Sequence, residues 1–195
     1  MAFRKLFISY GNLLRLYPVT MQATQTGIIM GSADIIAQTL IEKRNFNGIE
    51  WNRCARYASI GLLIGPTVGI WYRVLEYQFG SGGVKVLFKK IACDQLIFAP
   101  IFLGCLMFTI DTLKGTPMQE IREDLKHNYP EVLLSNYKVW PFVQVINFYF
   151  VPLHFRVLFV QMISVMWNTY LSWKINSNKL TKQTQKEINI DKKSN

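Results

Sequence analysis

A chain of 195 residues is long enough for one domain with a sizeable core, but 50% of it is hydrophobic and only 17% charged, against roughly 25% charged in ordinary soluble domains. The formal net charge is +10; the Lys and Arg lie mostly between and outside long apolar runs, where membrane-flanking cations belong, and this argues against direct nucleic-acid binding. The three cysteines, Cys54, Cys93 and Cys105, make neither a disulfide framework nor a zinc pattern, and with no nucleophile set or phosphate-binding glycine loop in view, the expectation is a non-enzyme without metal or cofactor.

The chain opens with "MAFRKLFISYGNLLRLYP", basic, amphipathic and free of acid. That composition is shared with mitochondrial presequences. Because Tyr17 and Pro18 run straight into apolar chain, residues 1–17 read better as a retained basic helix. A bilayer core of about 30 Å needs roughly 20 helical residues, and residues 19–41 supply the first such run, with Asp34 its only charge. At helical spacing Thr20, Gly27, Gly31, Asp34 and Gln38 fall within roughly 40° of one another. The Gly27–Gly31 step is the kind that lets another backbone approach closely.

Residues 57–75 form the second run, in which Gly61, Gly65 and Gly69 recur every four residues and Pro66 predicts a kink. The turn from Gly80 carries "GSGG" and reads as flexible. The third run, residues 91–110, has Asp94 as its only charge, followed by Gln95. "TPMQEIREDLKHNYP" then predicts a short amphipathic helix on the membrane surface, with Thr116 as N-cap and Gln119 completing a capping box. Residues 141–173 are the last run. At about 50 Å of helix they are too long for one crossing, and Pro152 predicts a break or kink. One polar stripe there joins His154, Gln161, Ser164, Asn168 and Ser172. Residues 176–195 read as a Lys-rich flexible tail.

The expected fold is therefore all-α: a polytopic membrane bundle with four transmembrane helices within a single domain, residues 1–175, the last helix broken near Pro152, plus the surface helix. A charge at mid-bilayer costs about 2.5–3.5 kcal/mol. Asp34 is expected to find compensation in Arg73, Arg156 or internal water. Two readings of Asp34, Asp94, Gln38, Gln95, Asn147 and Arg156 stay open. They knit the helices together by hydrogen bonds, or they line an aqueous path whose carboxylates set selectivity or gating.

The stretches "LLRLYPVTMQATQTGIIMGSADIIAQ", "GLLIGPTVGIWYRVLE", "KIACDQLIFAPIF" and "NYKVWPFVQVINFYFVPLHFRVLFVQMISVMWNTYLSW" occur in that order. Together they strongly resemble the Mpv-17/PMP-22 family, whose second name abbreviates a peroxisomal membrane protein. The most specific part is the series Trp140-Pro141, Gln144, Asn147-Phe148, Pro152, Trp167-Asn168. "FAPIFLG" and "NFYFVPLHFR" look closest to the mitochondrial inner-membrane branch. The resemblance implies a small four-span organelle membrane protein, a channel of low selectivity that modulates membrane potential, with the permeating solute left open. It implies links to mitochondrial DNA maintenance and nucleotide supply, and Asp94 as a gating residue. It leaves a peroxisomal pore and a non-conducting assembly factor as alternatives. The partners it implies are the lipid bilayer and either a homo-oligomer or an organelle membrane complex.

Overall fold

The computed structural model describes residues 2–167, and all regular structure among them is helical. Asn168, Ser172 and the tail at 176–195 lie outside the described residues. Helix α1 is Ala2–Leu16. Pro18 opens α2, Pro18–Ile36, where its missing N–H falls in a first turn that has no acceptor to offer. α2 runs on through a π turn at Ala37–Ile41. After a short 3₁₀ turn, Phe46–Gly48, come α3, Trp51–Phe79, and α4, Val84–Lys114. Helix α4 contains a second π turn, Asp94–Phe98, just before Pro100, a residue with no N–H to give. Helix α5 is Met118–Phe150 and α6 is Leu153–Trp167.

α3 and α4 are long and apolar enough to cross a membrane, with 29 and 31 residues, or roughly 45 Å each. In the most apolar stretch of α4 only 6% is buried within the protein. Leu96, Ile97 and Ile101 point outward instead. A soluble core helix would bury that surface; here it is left for lipid. The interior core is small and joins four helices: Val68, Tyr72 and Leu75 of α3, Ile91 of α4, Phe148 of α5, and Val157 and Val160 of α6.

Two expectations are corrected. The predicted surface helix is not a separate element. It is the first part of the 33-residue α5, and Ile121 is buried while Tyr129 donates from its hydroxyl to the Pro100 carbonyl of α4 at 3.1 Å. Ile121 of its apolar stripe therefore packs on protein, while Met118 stays exposed. Thr116 does not cap α5: the N-cap position is Pro117, without a side-chain cap. Gly115 ends α4 in the left-handed region at φ 80°, and the Thr116 N–H bonds back to the Asp111 carbonyl at 3.1 Å. These bonds form a Schellman closure that commits Thr116 to the end of α4. The break expected near Pro152 is present: helix ends at Phe150 and restarts at Leu153, with Val151 in extended conformation between.

Helix α1 packs on Phe155 through its Tyr10 ring and is fastened to the bundle by Leu14 and Tyr10. Leu14 is buried, and the Tyr10 hydroxyl donates to Gln25 Oε1 of α2. Gln25 Nε2 is buried and has no partner among the described residues. Tyr10→Phe therefore leaves both ends of that amide unpaired. The expected cost is about 1–3 kcal/mol, read as a lower thermal unfolding midpoint in detergent. An unchanged midpoint would mean the hydroxyl does not fasten α1.

Candidate functional site

The two glycine faces meet. A Cβ on Gly61 would lie 2.7 Å from the Thr26 carbonyl oxygen and 2.8 Å from the Gly27 Cα. On Gly65 it would lie 2.6 Å from Thr26 Oγ1, and on Gly69 it would run into the Gln22 amide. Gly27 faces Leu62 and Ala58, and Gly31 faces Ala58. Backbone contact of this kind presses the polar side chains of α2 into the bundle, where Gln22, Gln25 and Thr26 are buried. Arg73 reaches Gln22 Oε1 at 3.4 Å.

Asp34 is not paired with Arg73 or Arg156. Its Oδ1 lies 2.8 Å from Arg53 Nε, and its Oδ2 accepts from Gln38 Nε2 at 2.8 Å. Arg53 also holds Glu42 at 2.7 Å. Arg44 bridges Glu42 and Glu50, and the Glu50 backbone N–H donates to Gln38 Oε1 at 2.8 Å. The hydrogen bond from Arg44 holds the Glu50 carboxyl below its ordinary value. Asp34 and Gln38 thus belong to a clasp that closes the α2–α3 connection. Arg53 is missed by a reading that looks for partners only inside apolar runs, because it sits in the first turn of α3.

Asp94 has different company. Trp71 Nε1 of α3 donates to its Oδ1 at 2.9 Å, and Gln95 Nε2 to its Oδ2 at 2.7 Å. Gln95 Oε1 in turn accepts from Asn136 of α5 at 3.1 Å. Trp71 is fixed by stacking on Phe98, with ring centroids 4.9 Å apart. Beside this chain, Gln144 donates to the Tyr72 hydroxyl at 3.0 Å, and Asn147 donates to Gln144 Oε1 at 2.9 Å. Asn147 Oδ1 is buried with no partner among the described residues. No cation pairs with Asp94 among the described residues. It is a buried carboxylate solvated by neutral donors from two helices.

Arg156 belongs to a third group. Its Nη1 lies 2.7 Å from Glu76 Oε2, an oxygen that also takes Lys90 Nζ at 2.6 Å. Its Nε donates to the Val151 carbonyl at 3.1 Å and its Nη2 to the Phe148 carbonyl at 3.3 Å. The guanidinium thus satisfies carbonyls that the helix break leaves without N–H partners. The proposed site residues are therefore divided: Asp34 with Gln38, Asp94 with Gln95, and Arg156 apart. Trp140 packs against the core and Pro141 lies inside α5. Trp167 closes the described part of α6. Glu76, Trp71 and Asn136 are not singled out from sequence, and Lys90 reads there only as one of the basic residues after the Gly80 turn.

The Mpv17 / PMP22 family model matches residues 111–172. The chain is 40% identical over 172 residues to a protein of Xenopus laevis named mitochondrial inner membrane protein Mpv17, covering 88% of this chain and 97% of that one. The human protein of the same name is 42% identical over 171 residues, 87% and 97% of the two chains. Protein sym-1 of Neurospora crassa is 40% identical over 159 residues, 80% and 91%. No solved structure matches.

Proposed function

From the premise that this chain belongs to the Mpv17/PMP22 family, we propose that it forms a low-selectivity path for small solutes whose polar constriction is built around Asp94. The chain is a membrane protein of the mitochondrial inner membrane, the residence that its relatives' names carry and that its outward apolar helices suit. Four crossings are part of the proposal: α2, α3, α4 and the apolar run from Pro141 onward, folded about its break. So is the absence of catalysis. The family's tie to membrane potential and nucleotide supply fits a conducting role.

One observation carries this reading. Asp34 is neutralised by a cation, whereas Asp94 is held by Trp71 and Gln95 without one. A carboxylate kept in an apolar span at such cost, without a counter-charge, is what a cation-attracting or gating position requires. The unpaired Asn147 Oδ1 nearby is a further place for water or solute to bond. Purified protein in a planar bilayer should give discrete conductance, and Asp94→Asn should change its ion preference or gating at unchanged fold. Silent bilayers containing well-folded protein would sink the proposal.

The second reading, a non-conducting assembly factor acting in a homo-oligomer or a larger complex, draws support from the internally closed clasp around Asp34. It expects a stoichiometric partner after solubilisation in mild detergent, and Asp94→Asn then loses that partner rather than a current.

A further inference from the structure

The helix directions bring the start of α2, the α3–α4 turn and the α5–α6 break to one end of the bundle. Among the described residues that end carries a single carboxylate, Glu76, against Arg15, Arg73, Lys85, Lys89, Lys90 and Arg156. A cavity of about 320 Å³ opens there. Its walls include Ser81, Gly82 and Gly83 of the turn, Lys90 of α4, the carbonyl-bearing break at Phe148–Pro152, and Arg156.

Two of the lining cations are themselves buried, Lys90 at 3% and Arg156 at 6% exposure. Both draw on the same oxygen, Glu76 Oε2. The group thus holds two positive charges against one negative, with low-dielectric surroundings to amplify the difference. An ammonium has three donors, and Glu76 takes the one hydrogen bond that Lys90 Nζ gives to a side chain. The turn adds a second source of positive potential. Gly80, Gly82 and Gly83 all have positive φ, at 69°, 140° and 54°. That backbone path delivers the chain into α4 with no side chain capping its first turn, so the N–H groups of that turn are free to face an acceptor. From sequence this turn reads only as flexible; the fold sets it beside two buried cations.

We propose that this cavity binds a phosphate-bearing anion, held by Lys90, Arg156 and the amides at the start of α4. The chemistry is that of a phosphate monoester or diester, supplied either by a phospholipid headgroup or by a soluble phosphate. Binding here is independent of whether the protein conducts, and its measurement uses no current.

The full chain is reconstituted in nanodiscs of pure phosphatidylcholine, and its thermal unfolding is followed while sodium phosphate is titrated at ionic strength held constant with sodium chloride. A parallel series replaces part of the phosphatidylcholine with phosphatidylglycerol. The expected result is a saturable rise in midpoint in at least one series. A rise with inorganic phosphate identifies the soluble source, and a rise with phosphatidylglycerol alone identifies the headgroup. Lys90→Gln should weaken the apparent affinity by about tenfold or more. Should Lys90→Gln fail to fold, Ser81→Glu decides, because Ser81 is exposed and makes no hydrogen bond to the other described residues, and a carboxylate there repels the anion while Ser81→Gln does not. No saturable rise in either series, or a Ser81→Glu protein that responds like Ser81→Gln, would overturn the proposal.

Discussion

Gly65→Ala should lower the stability of the detergent-solubilised protein by about 3 kcal/mol, the upper end of ordinary overpacking costs. The added methyl would sit 2.6 Å from Thr26 Oγ1 and 2.7 Å from the Gln22 carbonyl carbon. The second of these is backbone, so no rotamer change relieves it. α2 must move off α3, and the shift also loosens Gly61 from Gly27. Alanine's better helix propensity returns about 1 kcal/mol, far short of the loss. Two other glycines calibrate the effect. At Gly31 the nearest atom is the Ala58 Cβ at 3.3 Å, so Gly31→Ala should cost less. At Gly104 the nearest is a Tyr129 ring carbon at 3.7 Å, so Gly104→Ala should be neutral or stabilising. Midpoints in that order, from thermal or denaturant unfolding in one detergent, would establish that backbone contact holds α2 to α3. Equal midpoints for Gly65→Ala and Gly104→Ala would remove that account.

Glu76→Gln should be comparably severe, at about 3–5 kcal/mol, the range for breaking a buried pair from one side. The amide keeps the shape but leaves the Lys90 ammonium and Arg156 guanidinium as buried like charges, joined before through one oxygen. Arg156 would then also hold the Phe148 and Val151 carbonyls less firmly, and the break between α5 and α6 would loosen. Adding Lys90→Met to Glu76→Gln should recover part of the loss, because one unpaired charge is then gone. Asp111→Asn is the control: Lys114 in that pair is half-exposed, and an exposed pair is worth less than about 1 kcal/mol. The measurement belongs in phosphate-free buffer, since an anion seated beside Lys90 would offset the missing carboxylate. A Glu76→Gln protein as stable as the parent would mean that the triad is solvated and unimportant.

Much of the helix inventory could be read from local pattern. Residues 19–41, 57–75 and 91–110 fall inside observed helices, since a long apolar run without backbone alternatives becomes helical in lipid. The glycine spacing placed Gly61, Gly65 and Gly69 on one face. Pro152 marked where the last run stops being one helix. The errors lie at junctions. Thr116 has the composition of a cap, yet Gly115 reaches the left-handed region first and ties Thr116 to α4. The segment after Met118 is amphipathic, but its Ile121 is buried, its Tyr129 bonds to the Pro100 carbonyl and its helix runs on to Phe150. Local composition cannot say whether an apolar stripe will face lipid or protein.

Pairing was less legible than placement. The sequence showed that Asp34, Asp94 and Arg156 needed partners, because a buried charge does. It offered Arg73, Arg156 or internal water for Asp34 and missed Arg53, since that pairing depends on how the α2–α3 turn closes. It could not reveal that Glu76 answers both Lys90 and Arg156, or that Asp94 is left to Trp71 and Gln95. Hydrophobicity and periodicity act along the chain, so the sequence alone determined an apolar, helical, glycine-faced membrane protein and its family. Distances of a few ångströms between remote helices decide which charges are cancelled and which are left over, and only the packed tertiary structure sets those.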